Sequence, residues 1–508
     1  MRQLIKLLVI LLSFEVFGFS ISYSQQAERK YIAEKTLLYT FQEKVYPVKI
    51  VVSENRNNFA IEIGNKDKSY ILSDALIKSR DYWDILNMNF SPDGSKLAFT
   101  AERKNRFYVV VDGNEMGPFN TLLSDTVVFS QNNKRYAFAA GYMPRPDKED
   151  FFIVLDGEQG PKFDVISMEP PRFSPNGDRF IYIVRHKGKR FAILDGREGP
   201  KFEETGGGPF FSHDGSIVLY KGLRDDSGYV VVNDSVFGGY YGLDDPVISP
   251  NSLDIAYAGY KDSSSTRQVF INHQPMKIYY ASKDPTFSPD GSRFAFWASD
   301  GKDQFAVVDS VEDEHFDNIS DVRFSPDGNH YYYIVYHSMN PGKWSFVADG
   351  KLLPEMEGTL ESVHIYFAPN GSRMAYLWDI DSTHENLIVD GVEYHASEFN
   401  YPVFSPDGKR FGVPYRKLVD SEWQLIIDSK ETVYDKFIGP HVAFSPDSKD
   451  VAFYVYKDGD MYLVINDQKF ELFDNIFPFQ VRFNDDGNMT FYATKDNNFY
   501  RVIVRPEE

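Results

Sequence analysis

The stretch Phe90-Ser91-Pro92-Asp93-Gly94-Ser95-Lys96-Leu97-Ala98-Phe99 reads as an antiparallel hairpin. Pro92 fixes φ at the second position of a type I turn, Asp93 supplies an acceptor for the turn backbone, and Gly94 takes the left-handed conformation that closes it. Lys96-Leu97-Ala98-Phe99 then alternates as the returning strand. Further on, Phe107-Tyr108-Val109-Val110-Val111 is an apolar third strand, Asp112-Gly113 a second tight turn, and Gly117-Pro118-Phe119 lies along a fourth.

The same grammar recurs along the chain. Phrases close to Phe-Ser-Pro-Asp-Gly begin at Phe90, Phe129, Phe173, Phe211, Ile248, Phe287, Phe324, Phe367, Phe404, Phe444 and Phe483, spaced 37 to 44 residues apart, with an eroded copy at Ile50 to Asn55. The second turn recurs as Asp156-Gly157, Asp195-Gly196, Asn233-Asp234, Asp349-Gly350, Asp390-Gly391 and Asn466-Asp467. A four-stranded sheet of this size cannot bury both faces alone, and radial stacking of copies solves that problem. The expected fold is all-β: a β-propeller of about twelve four-stranded blades, arranged as two six-bladed propellers in tandem at residues 25–284 and 285–508. The last copy lacks a fourth strand, and a spare strand at Thr36 to Phe41 is available to supply it.

Residues 1–24 have the pattern of a signal peptide, with Arg2 and Lys6 before an apolar run from Leu7 to Phe19, and Ser22 and Ser24 before a cleavage point at Gln25. The chain has no cysteine and a formal charge of −20. An exported chain of this size without disulfides points to a bacterial periplasmic or outer-surface setting, with no stable membrane insertion after cleavage. The negative field disfavours nucleic acid as a partner. With 33 Tyr and 43 Phe the composition suits strands better than helices.

These repeats resemble the TolB-like, WD40-like (PD40-type) propeller repeat of bacterial exported proteins. Phe90 to Phe99, Phe287 to Phe296 and Phe404 to Phe411 carry the resemblance. It implies a propeller that binds proteins or presents substrates and only sometimes catalyses. Unlike the family's TolB component, this sequence leaves no room for a separate α/β domain.

No Gly-x-Ser-x-Gly, His-Glu-x-x-His, P-loop or Gly-x-Gly-x-x-Gly motif occurs, so no catalytic residue, metal site or cofactor is expected. The turn carboxylates Asp93, Asp290, Asp327, Asp407 and Asp447 read as turn residues. In an a-b-c-d meander both tight turns share one end of the blade, and the variable b–c and d–a loops share the other, where binding is expected. Early b–c loops carry Arg103, Arg106, Arg145, Arg185, Lys187, Arg190 and Arg224, and later ones carry Asp300, Asp303, Asp379, Asp381, Glu385, Asp420, Glu422, Asp458 and Asp460. The basic group suits an acidic protein partner or an anionic glycan. Tyr142, Trp344 and Trp423 are loop aromatics able to anchor a side chain or a sugar ring. The expected function is a non-catalytic protein-interaction scaffold in the cell envelope. Alternatives are an enzyme sited in the propeller mouth (a polysaccharide lyase or glycoside-active hydrolase) and a glycan-binding module.

Overall fold

The computed structural model describes residues 29–41, 46–64, 68–74, 79–145, 148–167, 170–260, 266–339, 342–358, 363–419, 421, 423–432, 437–457, 460–478 and 480–507. The expected signal peptide lies outside them. Among the described residues every regular element is a strand, and no helix is long and apolar enough to cross a membrane.

The strands form twelve small antiparallel sheets, the blades of a β-propeller. Blade 1 spans 46–73, blade 2 84–119, blade 3 121–159, blade 4 165–198, blade 5 204–240 and blade 6 242–279. Blades 7 to 11 span 281–312, 323–357, 364–396, 398–432 and 437–469. Blade 12 combines 475–506 with the strand Tyr31–Thr40, which pairs with Asn498–Pro506 from Tyr31↔Pro506 to Thr40↔Asn498. The early strand thus takes the place of the missing fourth strand. Arg29 fastens it, with Nη1 2.6 Å from Asp450 Oδ2 and Nη2 2.8 Å from Asp447 Oδ2, while the buried Tyr31 hydroxyl donates to Asp450 at 2.8 Å.

Between each blade and its neighbour sits an apolar cluster. Ala258 and Val269 of blade 6 meet Phe296, Phe305 and Val307 of blade 7, across the expected boundary at 284/285. Tyr492 and Phe499 of blade 12 meet Phe59, Ile61 and Leu72 of blade 1. Two six-bladed rings need blade 6 against blade 1 and blade 12 against blade 7; the clusters instead follow one cycle of twelve. The physical reason is that every blade carries the same two apolar faces, so blade 6 packs on blade 7 like any other pair, and the strand closure at Tyr31–Thr40 joins the two ends of the whole series.

The quoted turn explains its own spelling. Ser91 is 1% exposed, its hydroxyl donates to Asp93 Oδ1 at 2.8 Å and accepts the Lys96 N–H at 2.9 Å. Gly94, at φ 76°, donates to the Ser91 carbonyl at 2.8 Å. In blade 7 the Ser288 hydroxyl, followed by the hydroxyl and N–H of Ser292, holds the Asp290 carboxyl down at about 2. These carboxylates are occupied as turn acceptors.

A second device was not anticipated. An arginine opening strand b in blades 3, 4, 7, 9 and 10 (Arg135, Arg179, Arg293, Arg373, Arg410) spans both turns of its own blade and reaches the next. In blade 7, Arg293 Nε donates to Asp309 Oδ2 at 2.8 Å, Nη1 donates to the Asn329 carbonyl of blade 8 at 2.8 Å, and the cation lies 5.4 Å from the Phe324 ring. Arg410 repeats this with Asp428 at 2.8 Å, the Lys449 carbonyl at 2.5 Å and the Phe444 ring at 5.2 Å. Asp309 and Asp428 sit at φ 49° and 48°, a conformation Asp tolerates, and each accepts its strand-b N–H on the other oxygen.

Candidate functional site

The b–c and d–a loops do share one end. Trp83 N donates to the Glu102 carbonyl and Tyr241 N to the Tyr260 carbonyl, each joining a d–a loop to the end of strand b. At this end the expected basic residues have different fates. Arg103 is bound within blade 2, with Nη2 2.9 Å from Glu115 Oε1 and its guanidinium 4.2 Å from the Tyr108 ring. Arg190 pairs with Glu204 at 2.9 Å. Arg224 lies 4.8 Å from the Tyr229 ring. Arg106, Arg185 and Lys187 are exposed. Arg145 sits in strand Tyr136–Arg145, with its side chain outside the described residues. Local acidic partners therefore neutralise part of the row that the sequence presents as uniformly basic.

Trp344 is corrected outright. It is 0% exposed and packs edge-on against Trp378, ring centroids 5.4 Å apart, in the interface between blades 8 and 9. It stands on strand Gly342–Ala348, where alternation turns it inward, so it offers nothing to a partner. Trp423 is half-buried beneath the Arg416 guanidinium, 4.6 Å from its ring. Tyr142 packs on Phe152 at 5.0 Å.

On the acidic side, Asp420, Glu422 and Asp458 lie outside the described residues. Asp300, Asp303 and His315 bring ligand atoms within 4.8 Å of one another. Each has a local partner: Asp300 Oδ1 accepts the Lys302 and Asp303 N–H groups, Lys302 Nζ lies 3.0 Å from Asp303, and His315 stacks on Phe305 at 3.9 Å. Glu385 is different. Burial pushes its carboxyl up to about 7, against the Phe399 N–H that it accepts at 2.5 Å, with Asp379 and Glu398 adding to the rise.

Exposed aromatics also mark this end. In the pairs Tyr82-Trp83, Tyr240-Tyr241 and Tyr279-Tyr280 the first ring is buried, whereas Trp83, Tyr241 and Tyr280 are 51%, 60% and 53% exposed. They stand at d–a junctions, outside the b–c loops on which loop composition places the binding candidates.

A cavity of about 360 Å³ opens between blades 8 and 9, lined by Ser320, Asp321 and Arg323, by Tyr332 and Tyr336, and by His364 and Tyr366 among others. Tyr332 stands where strand b elsewhere carries Ala60, Ala98, Ala137, Ile181, Leu219, Ala256, Ala295, Ala375, Gly412, Ala452 or Thr490, all of them buried. Its ring reaches Phe367 of blade 9 at 5.1 Å. A comparison of the repeats with one another was the available signal.

No protein-family model matches the sequence, and no curated protein matches it. Among solved structures the chain is similar to a eukaryotic initiation factor, at 13% identity over 63% of this chain and 90% of the other, with a TM-score of 0.33. It is also similar to the tricorn protease, at 12% identity over 91% and 62% of the two chains, with a TM-score of 0.23. The β-propeller domain of the Trilobed protease from Pyrococcus furiosus shows 15% identity over 52% and 95%, with a TM-score of 0.26. At such identities the likeness is one of fold.

Proposed function

We propose that the protein is an exported, non-catalytic interaction scaffold of the bacterial cell envelope, built from TolB-like repeats, which holds a protein partner on its b–c and d–a end. The observation that carries this reading is the set of exposed rings Trp83, Tyr241 and Tyr280 at the same end of the blades as exposed Arg106, Arg185 and Lys187. Aromatic and arginine side chains supply most of the energy at protein interfaces, and the recurrent polar residues of the opposite end are already consumed by turns and clamps. The leader-like segment 1–24 supports export, and the acidic whole with local cations at this end favours a partner that offers carboxylates to Arg185 and Lys187.

Crosslinking in the native cell followed by mass spectrometry identifies the partner. Purified protein then captures that partner, and the variant carrying Trp83→Ser, Tyr241→Ser, Tyr280→Ser, Arg185→Glu and Lys187→Glu loses at least tenfold in affinity with its melting temperature retained. Undiminished capture by that variant overturns the proposed surface. Turnover of a polysaccharide or peptide library by the purified protein overturns the non-catalytic reading.

A further inference from the structure

The cavity between blades 8 and 9 results from a single departure from the repeat. Every other interblade cluster contains at least seven buried apolar residues; this one contains three, Trp344, Phe346 and Trp378, with eight half-buried apolar side chains around them. Those three stand on the second and third strands of their blades. Nearer the first strands, Tyr332 occupies a position that is otherwise small or aliphatic and wedges against Phe367. Tyr332 is the one aromatic residue at this position among the described repeats, which ties the space to this pair of blades.

Its lining is polar and aromatic. Directly across the hairpin from Tyr332 is Arg323, whose guanidinium faces the Tyr332 hydroxyl and has no carboxylate partner among the described residues. Asp321 would repel an anion, and Lys283 of blade 7 offsets part of its charge, with Nζ 2.9 Å from Asp321 Oδ1 and 2.7 Å from Asp284 Oδ2. The Tyr332 and Tyr336 side chains of blade 8 face blade 9 across this space, whereas Tyr366 turns to blade 10, its ring 6.0 Å from that of Tyr401. Burial raises the Tyr332 and Tyr336 hydroxyls, with Asp321 adding to the rise at Tyr336. Both therefore stay neutral and can donate and accept. Ile334, Val363 and Ile365 supply the apolar remainder.

One unneutralised guanidinium among tyrosines is the chemistry that recognises a polyhydroxylated ring bearing a single carboxylate. The planar fork matches a carboxylate bidentately, the hydroxyls match sugar hydroxyls, and the rings give flat apolar faces to sugar C–H groups. A phosphate dianion asks for more cations or backbone N–H groups than the cleft presents. The volume falls at the lower end for small-ligand sites and suits one or two sugar rings.

We propose that this cleft binds a hexuronate, free or as a unit of an acidic polysaccharide, through Arg323 to its carboxylate and Tyr332 and Tyr336 to its ring.

The test is calorimetric titration of the full-length mature protein with glucuronate, a galacturonate trimer, glucose and inorganic phosphate, with saturation-transfer NMR to identify the sugar protons in contact. Glucuronate or the trimer binds saturably and at least tenfold more tightly than glucose, and whichever of the two binds better identifies the source. Arg323→Gln and Tyr332→Ala each lose at least tenfold, while Arg197→Gln, at an exposed position of blade 4, changes nothing; melting temperatures of all three variants stay within a few degrees of the parent. Absence of saturable uronate binding, equal binding of glucose, tighter binding of phosphate, or indifference to Arg323→Gln in a folded variant each overturns the proposal.

Discussion

Arg293 and Asp309 join the two tight turns of blade 7 through an Nε to Oδ2 hydrogen bond of 2.8 Å, and the same guanidinium continues to the Asn329 carbonyl of blade 8. One side chain thus ties a hairpin to a hairpin and a blade to its neighbour.

Removing that tie should weaken the interface without altering the turns. Arg293→Met keeps the aliphatic stem over Phe324 but loses the bonds to Asp309 and Asn329. Charged hydrogen bonds contribute roughly 1.5–3 kcal/mol when buried and less where water reaches them, so a loss of about 1–2 kcal/mol is expected by urea denaturation. Arg410→Met should show a loss of similar size, and the two should add because blades 7 and 10 share no contact. A strongly non-additive pair would contradict independent clamps.

Ring closure gives a second test. Deletion of residues 25–44 removes strand Tyr31–Thr40 together with the buried Tyr31 and Phe41 side chains. Each such side chain contributes about 1.5–3 kcal/mol by burial, and the ladder to Asn498–Pro506 goes with them. The melting temperature should fall sharply, and limited proteolysis should begin in blade 12. The milder Tyr31→Phe leaves Asp450 short of one donor and should cost about 1–2 kcal/mol. An unchanged melting temperature in the deletion would remove the strand's closing role.

The third concerns Glu385. Its folded carboxyl titrates at about 7, raised from 4.5 by burial, with Asp379 and Glu398 reinforcing the rise and the Phe399 N–H opposing it; Arg416 pairs with Glu398 at 3.2 Å. Between those two values the folded state keeps a proton that the unfolded chain releases, so stability declines as pH rises from about 4.5 to about 7. With the group about half accessible, the decline is about 1 kcal/mol and not the full linkage. Glu385→Gln, which still accepts from Phe399, should flatten this part of the profile and be the more stable protein at pH 8. Chemical denaturation at pH 5, 6, 7 and 8 measures it, and identical slopes for the two proteins would refute the assignment.

Much of the blade was legible in the sequence, because its decisive residues act locally. Ser91, Asp93 and Gly94 bond within six positions of one another, so the hairpin follows from the phrase that encodes it. The number of rings was not legible: the faces of blades 6 and 7 are chemically like those of every other pair, and only contacts between residues such as Phe59 and Tyr492 record which blade meets which. The clamp lay half in view. Arg135, Arg179, Arg293, Arg373 and Arg410 recur at one place in the repeat, but their meaning depends on Asp residues about 16 to 21 positions later and on carbonyls in another blade. Loop composition misled at Trp344, since a tryptophan near a polar connection looks exposed until its strand register is known. Tyr332 escaped notice for the opposite reason: it resembles its neighbours Tyr331 and Tyr333 along the chain and differs only from its counterparts in other repeats.

The pairing of Tyr31 with Pro506 and of Thr40 with Asn498 brings the first and last described stretches together at the same end of one ladder. Tension applied at residues 29 and 507 therefore loads the Tyr31 end first and parts the hydrogen bonds in succession, like a zip, and not all at once in shear. The seam is the mechanically soft point of the circle, and a pulling experiment should find blade 12 peeling open at low force before any of the eleven hairpin-linked blades gives way.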